Sequence, residues 1–197
     1  MERNEKKYLE HLCKLTEDAE AAKKLGNWLE VERLANVILT ITPHHELDSD
    51  THHVENFTKE SSRQLAQTHR LLSESLWRRG TYSEANKTAE RAIEFAQKSG
   101  NHTELIQCLS NMGTVLEKLR EYKNARKMYD QALILARDHG DRVNIARLTG
   151  NIGILHLSNF EYQQALVYFQ EALEINTELD RKEGMARNLG NIGIVYY

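Results

Sequence analysis

A cluster of histidines and aspartates after Pro43 contains the residue types that could bind a metal ion. Its members are His44, His45, Asp48, Asp50, His52 and His53. Imidazole nitrogens and carboxylate oxygens at close range suit zinc or nickel. The spacing matches no known closed metal site, however, and exposed histidines in a polar linker are the commoner arrangement. We therefore predict no resident metal, and metal binding by the His44 to His53 loop stays a separate hypothesis.

No arrangement typical of a catalytic site occurs in the sequence. There is no phosphate-binding glycine loop, no G-x-S-x-G motif, and no cysteine–histidine pair with a family signature. The motif GNIG, at 150–153 and again at 190–193, lies within helical patterns and recurs at a fixed interval. Helix packing explains this recurrence better than nucleotide binding does. We predict that this chain is not an enzyme and uses no cofactor.

Composition and charge argue against several other classes of function. The net charge of −3 is small and the charged residues are interspersed, unlike the basic patch of a nucleic-acid-binding protein. No apolar run approaches the roughly 18 residues of a membrane span, and the first residues lack the core of a secretory signal. Cys13 and Cys108 have no paired spacing, which indicates free thiols in a reducing compartment. The chain is therefore predicted to be cytoplasmic and to bind neither nucleic acid nor membrane.

The sequence repeats at intervals of 40 residues. Similar stretches begin at Ile106, Ala146 and Ala186. The same step separates two sets of alanines and one set of tyrosines: Ala85, Ala125 and Ala165; Ala92, Ala132 and Ala172; Tyr82, Tyr122 and Tyr162. Matches at so many independent positions indicate a repeat architecture, in which each unit buries its apolar face against its neighbours.

Each repeat has the apolar spacing of two α-helices separated by a short turn. A single proline and abundant leucine, alanine, glutamate and lysine also favour helices throughout. Gly100 and Gly140 stand where a second helix should end, and glycine readily adopts the left-handed conformation that closes a helix. Asp180 holds the same place in the next repeat, where we expect the turn to be made differently.

The repeats resemble the tetratricopeptide repeat, in which W-x2-L-G-x2-Y is followed by A-x3-F and a further alanine. Met112-Gly113, Ile152-Gly153 and Ile192-Gly193 match the L-G step, and Ala125 with Tyr129 and Ala165 with Phe169 match A-x3-F. The period exceeds the usual length of about 34 residues, as in the 40-residue variety of spindle-orientation adaptors, kinesin light chains and bacterial signalling proteins. The resemblance implies an all-α, right-handed superhelical solenoid of antiparallel helix pairs. We also expect Tyr129 and Phe169 to fill the space beside Gly113 and Gly153.

One tetratricopeptide-like domain is predicted over residues 1–197. It comprises a degenerate first repeat at 12–43, an inserted loop at 44–57, repeats at about 58–104, 105–144 and 145–184, and a half repeat at 185–197. The half repeat stops within an apolar helical pattern, and no polar cap follows it. We therefore expect the chain to be the N-terminal fragment of a longer protein. Homodimerisation through this last element is an alternative.

The first helix of each repeat has a second face beside its buried one. In the family this helix lines the concave groove, so the resemblance implies a site for a peptide or protein partner along that face. The residues are Gln107, Asn111, Lys118, Arg147, Asn151, Ile154, Leu157, Arg187, Asn191 and Ile194. Asparagine can pair with the amides of an extended peptide, and arginine with carboxylates. The alternative is that the asparagines bridge neighbouring helices and that further repeats bury the apolar residues.

The predicted function is a non-catalytic scaffold that holds a peptide or partner domain in this groove. The alternative is a sensory or regulatory module of a larger signalling enzyme, such as a nucleotide cyclase or a histidine kinase. Bacterial proteins with similar repeats often attach them to such output domains. A third hypothesis, a metal-handling protein, depends only on the histidine-rich loop.

Overall fold

The computed structural model describes residues 2–41 and 52–197, with side chains for 6–41 and 58–197. Within these residues there are nine α-helices and no strands. They are α1 (Glu2–Lys24), α2 (Trp28–Ile41), α3 (His52–Arg78), α4 (Tyr82–Ser99), α5 (His102–Lys118), α6 (Tyr122–Asp138), α7 (Arg142–Ser158), α8 (Tyr162–Glu178) and α9 (Lys182–Tyr196). Helices α5, α7 and α9 start 40 residues apart, as do α4, α6 and α8. The predicted all-α fold class is confirmed.

A residue in the left-handed conformation follows each helix from α3 to α8. These residues are Gly80, Gly100, Arg120, Gly140, Phe160 and Asp180, with φ between 50° and 85°. The turn also closes with a characteristic hydrogen bond, as where the Glu161 amide donates to the His156 carbonyl at 2.9 Å. The prediction for Gly100 and Gly140 is confirmed. The expectation of a different turn at Asp180 was wrong, because the aspartate adopts the same left-handed conformation as the glycines.

The chain divides into two compact units, Met1–Asn111 and Met112–Tyr197, and the division falls within α5. In unit 1, α1 packs against α2 and α3, and α3 also packs against α2 and α4. Leu12, Val31, Ile38 and Leu71 are fully buried there. Apolar residues at helical spacing therefore form the core of unit 1, as the sequence pattern predicts.

In unit 2, α7 packs against α6, α8 and α9, and α8 packs against α9. The aromatic rings of this unit lie directly on glycines of the preceding helix. A Cβ atom added to Gly153 would lie 2.6 Å from Cε1 of Phe169, and one on Gly113 would overlap the ring of Tyr129. The predicted filling of space beside these glycines is confirmed, and it explains why no larger residue fits there.

The predicted inserted loop at 44–57 lies partly outside the described residues. Helix α3 begins at His52, so the backbone of 52–57 is helical. The side chains of His44 to His53 are not among those described, and metal binding there stays a prediction. Among the described side chains, no group of three or more histidines, cysteines or carboxylates could hold a metal ion. No helix in the same part of the chain is long and apolar enough to cross a membrane.

Candidate functional site

Seven of the ten predicted groove residues lie on α7 and α9, which pack against each other in unit 2. We call them the unit 2 row: Arg147, Asn151, Ile154 and Leu157 on α7, and Arg187, Asn191 and Ile194 on α9. The four residues of α7 and Asn191 are half-buried, whereas Arg187 is exposed and the Ile194 side chain is 62% exposed. The row therefore presents polar, cationic and apolar groups that a partner could reach.

Arg147 is held in place by the first turn of α7. The carboxylate of Asp141 caps this helix, accepting hydrogen bonds from the Asn144 backbone amide at 3.0 Å and from Nδ2 of Asn144 at 2.6 Å. The Asn144 Oδ1 atom then accepts a hydrogen bond from Nη2 of Arg147 at 2.7 Å. This chain of hydrogen bonds orients a guanidinium group at the start of the row.

Arg187 lacks the same support, because Gly184 stands where α7 has Asn144. The reason lies in α8, whose fully buried Asn176 occupies the space that a Cβ atom at Gly184 would need. Although Arg187 is exposed as a residue, partial desolvation of its guanidinium group and the neighbouring Arg181 lower its pKa, while Glu183 acts in the opposite sense. An arginine still keeps its proton at neutral pH, so both arginines of the row are cationic.

The predicted residues outside the row have other surroundings. Gln107 is half-buried in unit 1, and Lys118, which is exposed in unit 2, places Nζ 3.1 Å from Oε1 of Glu117. In unit 1, Nδ2 of Asn111 donates to Oγ of Ser73 at 2.9 Å, and that hydroxyl donates to the Ala85 carbonyl at 2.8 Å. Asn111 thus bridges neighbouring helices, which is the alternative interpretation given to the asparagines.

A buried ion-pair network in unit 1 was not predicted. The Arg70 side chain places Nε 2.8 Å from Oε1 of Glu104 and Nη2 3.0 Å from Oε1 of Glu20. Burial alone would raise the pKa of Glu20, but Arg70 and Lys23 outweigh it, so this pKa is lowered. The sequence marks Arg70 as an exception, because the next repeats have Ser110 and Gly150 at its position, but it does not identify the carboxylates that pair with it. Since the charges pair with one another, the network acts on stability.

A second cluster, around His156 in unit 2, resembles part of a catalytic site. Nδ1 of His156 contacts the carboxylate of Glu161, and the ring stacks on Tyr168 with centroids 5.0 Å apart. Nε2, however, lies 3.1 Å from Nη1 of Arg126. An arginine can only donate, so Nε2 accepts this hydrogen bond and holds no nucleophile. In this arrangement Nε2 of His156 faces the guanidinium group of Arg126.

Comparison with known protein families identifies the repeats. One family model described as tetratricopeptide repeat matches residues 64–138, and a second with the same description matches residues 145–179. Together these matches cover more than half of the 197 residues. A search of curated proteins finds no match.

Solved structures share the fold at low sequence identity. BtubC (BKLC) from P. vanneervenii is 18% identical with a TM-score of 0.69, over 98% of this chain and 81% of that one. The apo form of RapI is 17% identical with a TM-score of 0.76, over 97% and 64%. The Rap conjugation gene regulator of plasmid pLS20, in complex with the Phr* peptide, is 20% identical with a TM-score of 0.67, over 90% and 48%.

These likenesses show the fold alone, and the chain spans only about half the length of the pLS20 regulator. The family assignment depends on the two matched segments and on the residues that they contain. Both segments include an alanine followed four residues later by an aromatic residue whose ring lies on a glycine: Ala125 with Tyr129, and Ala165 with Phe169. This chain belongs to the tetratricopeptide repeat family.

Proposed function

We propose that the chain is a non-catalytic protein-interaction scaffold whose unit 2 row holds an extended segment of a partner. The main support for the proposal is that asparagines at the same repeat position, Asn111 and Asn191, have different surroundings. Asn111 donates to the Ser73 hydroxyl, but Gly153 stands the same number of residues before Asn191 and has no hydroxyl. The bond that ties Asn111 to α3 therefore has no equivalent at Asn191, whose amide is half-buried beside an exposed Ile194.

The chemistry of the row defines the kind of segment that it would bind. An asparagine amide offers both a donor and an acceptor, so Asn191 can pair with the main chain of an extended peptide. The oriented Arg147 favours a carboxylate, because its planar guanidinium can donate two parallel hydrogen bonds. Ile154, Leu157 and Ile194 supply apolar contacts. We therefore expect a peptide with acidic and apolar side chains, and the peptide complex of the similarly folded pLS20 regulator supports this class of partner.

The experiment uses peptides selected from a phage-displayed random library on the 197-residue chain. Titration calorimetry then compares the wild type with the Asn151→Ala/Asn191→Ala double variant and with Asn124→Ala. Asn124 is an exposed asparagine of α6 outside the row, which makes it a matched control. We expect the double variant to bind about thirtyfold more weakly, because the two lost hydrogen bonds are worth about 1 kcal/mol each. Unchanged affinity would remove both residues from the site.

A second candidate is a regulatory module within a larger signalling protein. The chain spans 64% of RapI and 48% of the pLS20 regulator, both of which extend beyond the matched region. The test is to determine the natural reading frame that contains this sequence and to assay its product for nucleotide cyclase, histidine kinase and phosphatase activity. An output domain whose activity changes with a peptide bound to the row would support this function. A product that consists only of helical repeats would count against it.

A further inference from the structure

Two asparagines of unit 2 are buried where the preceding repeat has apolar residues. Asn176 on α8 is fully buried, and Asn188 on α9 is 1% exposed. Forty residues earlier the same positions hold Ala136 and Leu148, which are both fully buried. Nδ2 of Asn176 donates to the Ala172 carbonyl at 2.8 Å. The other side-chain oxygen and nitrogen atoms of the two asparagines have no hydrogen-bond partner in the described part of the chain, which lowers stability.

Each of these asparagines packs on a glycine of a neighbouring helix. A Cβ atom added to Gly184 of α9 would lie 2.2 Å from Oδ1 of Asn176. A Cβ atom added to Gly150 of α7 would lie 3.2 Å from Oδ1 of Asn188. The first contact excludes any side chain at position 184 unless Asn176 moves, and the second leaves little room at position 150. Helix α9 is therefore joined to α8 and to α7 by one asparagine–glycine contact each.

The first helices of the earlier repeats lack a glycine at the position of Gly184. Helix α5 has Glu104 there, and α7 has Asn144. Either side chain would overlap the buried amide of Asn176, because a Cβ atom alone already does so. The surface of α8 that receives α9 is thus shaped for α9 and not for the equivalent helices α5 and α7.

We propose that the two asparagine–glycine contacts fix the register of the repeats, so that α8 pairs with α9 and not with an equivalent helix of a second copy of the chain. Repeats of similar sequence are prone to such mispairing while they fold. A buried polar group that fits at one place only can prevent it, at some loss of stability. Both contacts lie in the interior, so this inference does not depend on the proposed function.

The first test compares Gly184→Ala in the wild-type chain and in the Asn176→Ala variant. In the wild type the new methyl group overlaps the Asn176 amide, which its hydrogen bond to Ala172 holds in place. We expect the melting temperature to fall by about 3 to 6 °C, because overpacking outweighs the helix preference of alanine. In the Asn176→Ala variant the overlap is gone, and Gly184→Ala should raise the melting temperature by about 2 to 4 °C. Gly190→Ala is the matched control in α9, since a Cβ atom there meets nothing within 4 Å, and it should raise the melting temperature in both backgrounds.

The second test measures register directly, with the double variant Asn176→Ala/Asn188→Leu. These substitutions introduce the residue types of Ala136 and Leu148, the same positions of the preceding repeat. The 197-residue chain is unfolded in urea, diluted at several protein concentrations, and analysed by size-exclusion chromatography with light scattering. The wild type should return to the elution peak from which it was unfolded. The double variant should leave a larger share in oligomers, and this share should grow with concentration, because α8 no longer rejects the helices of a second copy. Gly190→Ala should refold like the wild type, which separates selectivity from a gain in stability.

Two outcomes would overturn the proposal. If Gly184→Ala changes the melting temperature by the same amount with and without Asn176, the asparagine does not select for a glycine on the next helix. If the double variant returns to its original peak as completely as the wild type at every concentration, the asparagines do not fix the register, and their burial affects stability alone.

Discussion

Unit 1 and unit 2 place different residues at the same repeat positions. Where unit 2 pairs a glycine with an aromatic ring, as in Gly153 with Phe169, unit 1 has Ser73, and Ala89 takes the position of the ring. The Ser73 hydroxyl instead donates to the Ala85 carbonyl of the second helix. In unit 1 the first helix thus has the larger residue and the second helix the smaller one, and a hydrogen bond replaces the ring packing. The two helices of a repeat can therefore be held together either by a side-chain hydrogen bond or by packing of an aromatic ring on a glycine.

The left-handed turn residues and the buried charges also differ between unit 1 and unit 2. Among the residues of unit 1 that the structure describes, the left-handed turn positions are glycines, Gly26, Gly80 and Gly100, whereas unit 2 uses Arg120, Phe160 and Asp180 alongside Gly140. Unit 1 also buries a guanidinium between two carboxylates. We therefore expect the stability of unit 1 to depend on its buried charges and on pH. We expect the stability of unit 2 to depend on the volume of its buried side chains and on backbone strain in its turns.

Removing the buried cation of unit 1 should have the largest effect. In Arg70→Met, Glu20 and Glu104 lose their shared partner while Glu104 stays buried. We expect the free energy of unfolding to fall by about 3 to 5 kcal/mol, as is usual when one member of a buried ion pair is removed. Urea denaturation followed by circular dichroism measures the loss.

The control for Arg70→Met is Arg91→Met. Arg91 pairs with Glu94 at 2.8 Å, but both side chains are more than half exposed. Exposed pairs contribute about 1 kcal/mol or less. An equal loss in the two variants would mean that burial does not set the strength of the unit 1 network.

Added volume at Gly153 should destabilise unit 2. The new methyl group of Gly153→Ala overlaps the ring of Phe169, and the ring is fully buried. We expect the free energy of unfolding to fall by about 2 to 3 kcal/mol because of overpacking, although alanine favours the helix more than glycine does. Gly193→Ala, where the methyl group has open space, should instead gain about 0.5 to 1 kcal/mol. Calorimetric melting of both variants gives the comparison, and Gly153→Ala/Phe169→Leu should recover part of the loss.

The glycine and ring pairs could be predicted from the sequence, whereas the ion-pair network could not. Gly153 and Phe169 belong to a pattern that repeats every 40 residues, so their contact follows from the helix pairing. Glu20, Arg70 and Glu104 come from three helices, and neither Arg70 nor Glu104 recurs 40 residues later, so no periodic signal connects them. The turn at Asp180 was misjudged because a residue's type does not fix its backbone conformation. The hydrogen bond from Asn111 could not be predicted either, because its acceptor Ser73 stands where the later repeats have glycine.

Acidification should weaken unit 1 through His69. Burial, with Arg91 nearby and Glu94 opposing it, lowers the pKa of this histidine to about 4. The ring stacks on Phe95 with centroids 5.4 Å apart. Below the unfolded pKa of about 6.5 the unfolded chain binds a proton that the folded chain does not, so stability is lost as the pH falls from about 6.5 to 4. Between pH 7 and pH 5 we expect a loss of about 2 kcal/mol.

His69→Phe is the variant that tests this titration. It keeps a flat aromatic ring against Phe95 and removes the group that gains a proton. Urea denaturation at pH 7 and pH 5 should then give nearly equal free energies of unfolding. Glu20 does not obscure the result, because its lowered pKa confines its own loss of stability to more acidic pH, below the ordinary value of 4.5. A variant that keeps the full pH dependence would assign the effect to another group.

The smallest effect should come from the turns of unit 2, where a glycine can replace a strained residue. Phe160 has a φ of 62° and is 76% exposed. A non-glycine residue in the left-handed conformation costs about 1 kcal/mol, so Phe160→Gly should raise the free energy of unfolding by about that amount. Phe160→Ala removes the same ring, including its edge contact with Tyr162, but keeps the strain. If thermal denaturation shows equal stability for the two variants, backbone strain does not distinguish the turns of unit 2 from the glycine turns of unit 1.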